Sequence, residues 1–313
     1  MPDRRAQVLS LYRQILRLSR KWTAVTPGET QTERDYIRNT AKRQFREGKQ
    51  MESANVEVLS QLYETLCVDM VQLSGNGPSP AQDNCELLKH RIFIIGANSS
   101  SEPGHVIIRE HANNIARGTT GLSTWKAAYA MVDHLSQSGS LPENATILEL
   151  GCGVGLTGLL ALALKSNIAK FVFTDSHGDV LDLVRQNVQL NTHLSSRCLV
   201  RELDWTDSDS TSIDENVHLV VASDVIFDPA LFTPLLSTVE RLLLRHPAAK
   251  CLIMATIRDQ RTFDLFVEES GNFTQLSVAV TQHQSGNCVV LPYLKHAVND
   301  NCPCYLLQIC RSA

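Results

Sequence analysis

The sequence predicts an α/β fold: a seven-stranded, mainly parallel sheet preceded by a small all-α helical segment. Three observations carry this. Seven short apolar, β-branched runs follow residue 104, helix-like stretches separate most of them, and the glycine-rich "LELGCGVGLTG" (148–158) joins one apolar run to another. Strands alternating with helices argue for parallel strands covered on both faces.

The elements follow in order. Over residues 6–24, Val8, Leu11, Tyr12, Ile15, Leu18 and Trp22 recur at helical spacing, with Arg13, Arg17, Arg20 and Lys21 opposite. A second helix, about 30–48, sets Ile37, Ala41 and Phe45 against a basic row of Arg34, Arg38, Lys42 and Arg46. A third, about 53–73, is acidic and apolar, and "GNGPSPAQDN" (75–84) has the composition of a linker. The expected organisation is therefore a helical region at 1–73, a linker and leading strand at 74–103, and an α/β domain at 104–313. In the last part the strand runs are "ATILEL", "KFVFTD", "CLVRELDW", "HLVVASD", "KCLIMATI", "FTQLSVAV" and "PCYLLQIC". Helices are expected at 156–165, 178–190, 230–246 and 260–270. The last two runs have no convincing helix between them, so they read as an antiparallel closing pair.

Composition excludes several classes. A hydrophobic content of 43% and a charged content of 20% are those of a globular protein. No run approaches the roughly 18 uninterrupted apolar residues of a membrane span, and "MPDRRAQ" has no apolar core of the secretory kind. Nine dispersed cysteines point to reduced thiols in an intracellular compartment. "CPC" (302–304) lacks a second ligand pair at zinc spacing, so strand packing is preferred to metal binding and no metal site is expected. Residues 1–50 hold twelve Lys/Arg against five Asp/Glu, a balance of +7, so a net charge of −4 leaves −11 for the remainder. An acidic main body disfavours direct nucleic-acid binding, which needs a basic surface.

The glycine turn selects its ligand by what it lacks. A dinucleotide fingerprint after Gly151 and Gly153 would place the third glycine at 156, where Leu156 stands; the third glycine is Gly155, expected with the other two to bind the cofactor. No Lys–Ser/Thr pair follows, which excludes a P-loop. Glu149 puts a carboxylate beside the loop, unfavourable to a pyrophosphate but suited to the amine and sulfonium of S-adenosylmethionine. Asp175, twenty residues after Gly155, is placed to accept from ribose hydroxyls, a feature that NAD enzymes share. Asp204 and Trp205 end the third run and suit an adenine amino group and its ring face. Asp224 ends the fourth. S-adenosylmethionine is thus the expected cofactor, ahead of NAD.

The segments "GTTGLSTWKAA" (118–128), "LELGCGVGLTG", "ELDW" (202–205) and "ASDVIFD" (222–228), with "SQLYETL" (60–66) before them, resemble methyltransferase family sixteen. More narrowly they resemble the branch acting on a lysine of eukaryotic translation elongation factor two, over about 53–313. The resemblance implies a Rossmann-like class I methyltransferase fold whose last strand is antiparallel. It also implies cofactor contacts from Trp125, Gly151, Cys152, Gly153, Trp205 and Ser223. Glu149, Asp175 and Asp204 match the superfamily's acidic contacts. Asp224 and Phe227 match the motif lining the lysine channel, whose fourth residue, often Tyr, is here Phe. The implied catalytic roles are an amine oriented by Asp224 and a wall at Phe227 whose π-face tolerates a methylated cation. The plainer alternative for Asp224 is an N-cap of the following helix.

Residues 1–50 carry a second resemblance. "VLSLYRQILRLSRKW" and "ERDYIRNTAKRQFREGK" are similar to the LYR-motif mitochondrial adaptor family, through Leu11–Tyr12–Arg13, Phe45 and their basic context. That resemblance implies acyl carrier protein as a partner of the basic helices. The expectation is a protein-lysine N-methyltransferase acting in the cytoplasm. Two alternatives stay open: a mitochondrial LYR-type adaptor, and a small-molecule methyltransferase of the same fold.

Overall fold

A computed structural model describes residues 31, 88–95, 104–112, 114–137, 141–207, 213, 215–284 and 302–312. The helices expected at 6–24, 30–48 and 53–73 and the linker at 75–84 lie outside the described residues, Gln31 excepted. The chain divides after Ala112 into two compact units. In the first, β1 (Leu88–Ile95) and β2 (Gly104–His111) form an antiparallel hairpin, with Leu88 opposite His111 and Ile95 opposite Gly104. It spans the position where the sequence reading sets its boundary.

In the second unit α1 (Lys126–Gln137) precedes β3 (Ala145–Leu150), α2 (Leu156–Leu164), β4 (Ile168–Asp175), α3 (Gly178–Leu190), β5 (Cys198–Glu202) and β6 (Leu219–Ser223). Then come α4 (Phe232–Arg245), β7 (Lys250–Thr256), α5 (Gln260–Ser270), β8 (Leu276–Gln282) and β9 (Cys304–Arg311). The seven expected strand runs all pair, in the order β5-β4-β3-β6-β7-β9-β8. β9 is antiparallel to both neighbours, so it alone runs against the sheet. This is the mainly parallel Rossmann-like arrangement with its reversed last strand.

Alternation along the strands divides the core. Leu148, Leu150, Val220, Ala222, Ile253 and Leu307 pack with Leu235, Leu236 and Val239 of α4 and Phe266 of α5. Phe171 and Phe173 of β4 face the other way, their ring centroids 4.8 Å apart. There α2 comes so close that a Cβ on Gly158 would lie 2.3 Å from Phe173 and 2.5 Å from Phe171. A helix at that separation needs hydrogen at this position. α1 packs on α2, so the first helices cover this face. Full burial of a side chain such as Leu148 or Phe171 contributes about 1.5–3 kcal/mol. Cys304 is buried within β9, as strand packing for "CPC" requires.

The topology has one functional consequence. The carboxyl ends of β3, β4, β5, β6 and β7 open on the same edge, and order reverses between β3 and β6. Open α/β sheets take ligands at such a switch point.

Candidate active site

The turn after β3 is built from backbone that side chains resist. Gly151, Gly153 and Gly155 have φ of 65°, 52° and 80°, in the left-handed region glycine occupies without strain. Cys152 N donates to Thr174 O at 2.8 Å and Gly155 N to Cys152 O at 2.9 Å, pinning the turn to β4. A Cβ on Gly151 would stand 3.0 Å from Val225 and 3.4 Å from the Trp205 ring. The loop therefore lies flat against the end of β6 and the indole, leaving an opening above α2.

That opening is a cavity of 460 Å³. Trp125, Glu149, Gly151, Cys152, Gly153, Asp175, Asp204, Trp205, Ser223, Asp224 and Phe227 all line it. Gly155 does not: as N-cap of α2 it stands behind the loop, against Phe173 and Val184. Its part is to start the helix.

Three carboxyl groups besides Asp224 line the cavity. Glu149 is 1% exposed, and its Oε2 finds no hydrogen-bond partner among the described residues. Burial pushes its carboxyl up to about 8, against a lowering hydrogen bond from Thr157, with Asp175's like charge adding to the rise. Burial also raises Asp175, whose oxygens accept from His177 N at 3.1 Å and Gly153 N at 3.4 Å. Asp204 is held below the usual carboxylate range by the hydroxyl and backbone N–H of Thr206, at 2.7 and 2.8 Å. Ser223 Oγ is a second buried polar atom with no partner among the described residues.

These features fit S-adenosylmethionine. A buried, unpartnered carboxyl oxygen suits a cationic ligand, which would restore its charged form. The flat glycine loop accepts close approach, and Asp204 with Trp205 offers an acceptor beside a ring. Bound there, S-adenosylmethionine would supply a sulfonium methyl for in-line transfer to an amine, with the thioether as leaving group.

Asp224, Trp125 and Phe227 also line the cavity. Asp224 sits at φ 57° just past β6, its N–H bonded to Met254 O at 2.9 Å. Its side chain is 6% exposed. Oδ1 accepts from Thr256 N at 2.8 Å, while Oδ2 accepts from Thr256 Oγ1 at 3.0 Å, Ala127 N at 3.1 Å and Arg258 Nη2 at 3.2 Å. The helix it caps is α1, well before it in sequence. The following short turn is capped by Asp228, whose Oδ1 accepts from Ala230 N at 3.0 Å. Trp125 donates Nε1–H to Thr120 O at 2.9 Å, fixing its indole at the start of α1. Phe227 is 56% exposed at the rim.

Sequence reasoning missed three groups. Arg258 and Thr256 reach Asp224 from the end of β7, and Thr157 reaches Glu149 from the first turn of α2. "ATIRD" carries no spacing signal for Arg258, because its partners come from two distant segments. Thr157 could have been found: the second position of a helix after a glycine turn points back at the strand end. Among the described residues no three His, Cys, Asp or Glu gather as metal ligands. No helix among them is long and apolar enough to cross a membrane.

Comparison with known proteins agrees with this geometry. A family profile described as "Lysine methyltransferase" matches residues 104–271, and one described as "Complex 1 protein (LYR family)" matches residues 6–66. The human protein-lysine N-methyltransferase EEF2KMT is 30% identical over 238 residues, covering 71% of this chain and 67% of its own. Its mouse counterpart is 30% identical over 234 residues, covering 71% and 65%. Protein-lysine N-methyltransferase EFM3 of Chaetomium thermophilum is 27% identical over 199 residues, covering 61% and 58%. With more than half of its residues inside the profile and the cofactor cavity within the matched segment, the chain belongs to the lysine methyltransferase family of S-adenosylmethionine-dependent enzymes.

Proposed function

We propose that this chain methylates a lysine of translation elongation factor two in the cytoplasm. The observation that carries the reading is that one cavity is lined both by the cofactor-type contacts Trp125, Glu149, Asp175 and Trp205 and by Asp224 and Phe227. Relatives named as protein-lysine N-methyltransferases support a protein lysine as acceptor, and the branch-specific "SQLYETL" and "GTTGL" segments support the factor itself.

The residues divide the work. A free lysine has a pKa of about 10.4 and reaches the enzyme protonated. The apolar wall at Phe227 disfavours the ammonium by desolvation, and the proton leaves to water. Asp224, fixed by its own hydrogen bonds, sets the amine's direction. The exposed Phe227 ring provides a π-face for the methylated product. The cavity brings donor and acceptor together, which is most of what an in-line displacement needs.

Loss of the gene in cells tests this. Mass spectrometry of elongation factor two should then show one lysine unmethylated, and re-expression should restore it. An unaltered factor would remove it as the substrate.

A second reading concerns residues 6–66, where the LYR-family match coincides with two sets of basic residues at helical spacing in the sequence. These residues suit an acidic acyl carrier protein. Co-purification that is lost on reversing Arg13 and Arg17 to Glu would support it; indifference to the reversal would not.

A further inference from the structure

Arg258 does something the fold does not ask of it. Asp224 already receives Thr256 N, Thr256 Oγ1 and Ala127 N, three neutral donors that tie β6 to β7 and α1. Arg258 adds the one charged donor among the described residues, Nη2 at 3.2 Å from Oδ2. Its guanidinium carbon also lies 4.9 Å from the centroid of the Trp125 ring. The Arg258 side chain is 41% exposed, so the pair adds little to stability. Both partners line the cavity. A cation is thus laid over a ring and against a carboxylate that both line the cavity.

The chemistry of the amine gives this a purpose. A bare carboxylate beside an entering lysine favours the ammonium form and holds the proton that must leave. A guanidinium keeps its charge throughout the physiological range. We propose that Arg258 is a positioning residue that compensates the charge of Asp224, so that Asp224 can direct the substrate amine without holding it protonated. This rests on the reading that Asp224 and Phe227 wall the lysine channel. Other ionisable groups near this corner are Lys126, whose Nζ donates to Cys302 O at 2.6 Å, and Cys304, 3.8 Å from Thr256 Oγ1. Glu149, Asp175, His177 and Asp204 also line the cavity.

The test compares wild type, Arg258→Met and Arg258→Lys. With elongation factor two as acceptor, kcat is measured against pH. In Arg258→Met the rising limb should move up by about one pH unit, the scale of one nearby charge at partial exposure. At neutral pH, kcat should fall about tenfold while KM also falls, because the ammonium now binds tightly and unproductively. Arg258→Lys should restore the wild-type limb. An unshifted limb, or a KM that rises with kcat unchanged, overturns the proposal.

If wild type does not label elongation factor two, the substrate reading fails and a binding arm decides this one. Calorimetry on S-adenosylhomocysteine-loaded full-length protein would then compare n-butylammonium with n-butanol. Tighter binding of the cation alone by Arg258→Met supports charge compensation. Equal binding of the cation by wild type and Arg258→Met overturns it.

Discussion

Asp224 Oδ2 accepts the backbone N–H of Ala127 at 3.1 Å, across 97 residues of sequence. The bond fastens the first turn of α1 to the end of β6 and brings Trp125 to the same wall as Asp224. A residue expected to act on the substrate is thereby also part of the frame.

Replacing Asp224 therefore tests two things at once, and the replacement chosen separates them. Asp224→Ala should destabilise the protein by about 2–4 kcal/mol in a urea melt, since buried N–H groups lose their acceptor at about 1–3 kcal/mol each. Its φ of 57° adds strain for alanine, whereas Asn tolerates the left-handed region. Asp224→Asn keeps one acceptor oxygen and tolerates the backbone, so it should melt between wild type and Asp224→Ala yet lose methyl transfer. Full turnover in Asp224→Asn would exclude a charged orienting role.

Gly158→Ala probes the approach of α2 to β4. A Cβ 2.3 Å from Phe173 and 2.5 Å from Phe171 meets ring atoms with no room to retreat. Overpacking of this kind costs about 1–3 kcal/mol, so the denaturation midpoint should fall despite alanine's better helix propensity. An unchanged or raised midpoint would contradict the close packing.

Glu149 gives a pH dependence with a definite sign. Its carboxyl stands at about 8 in the fold and at the model-peptide value of 4.5 when unfolded. The native state therefore holds a proton that the unfolded chain has released between these values, and stability of the cofactor-free protein falls as pH rises through that window. Glu149→Gln should flatten this part of the profile. Cofactor binding, which favours the ionised form, should release a proton near neutral pH, read by calorimetry in buffers of different ionisation enthalpy. No difference between buffers would show that Glu149 is already ionised.

Trp205 lies beside Gly151, its ring 3.4 Å from where a Cβ would stand. If the indole covers the adenine, Trp205→Ala should weaken cofactor affinity about tenfold, the scale of one base–aromatic stack. Equilibrium binding of labelled cofactor measures this. Unchanged affinity would move the adenine elsewhere in the cavity.

The strands of the sheet were legible because burial on both faces writes continuous apolar runs, as in "ATILEL" and "KFVFTD". Strand ends were legible too, because ligand groups follow the runs directly: Asp175, Asp204 and Asp224 all reach the cavity. α1 was passed over although Ala127, Met131, Val132 and Leu135 are buried at helical spacing, because its first residues were read as a motif. The full pairing of β1 with β2 was hidden by their separation. The engagement of Asp224 was hidden for a physical reason: its donors come from α1 and the end of β7, and only the closed sheet brings these together. Cβ approaches such as that at Gly158 leave no trace in sequence beyond the glycine.

One measurement bears most directly on the central claim. Purified elongation factor two is incubated with the full chain and S-adenosylmethionine carrying a labelled methyl, beside Asp224→Asn, and the labelled peptide is sequenced. The account predicts label on a single lysine with wild type and none with Asp224→Asn. Label absent from elongation factor two, while cofactor binding to the chain is intact, would contradict the assigned acceptor and leave only the pocket.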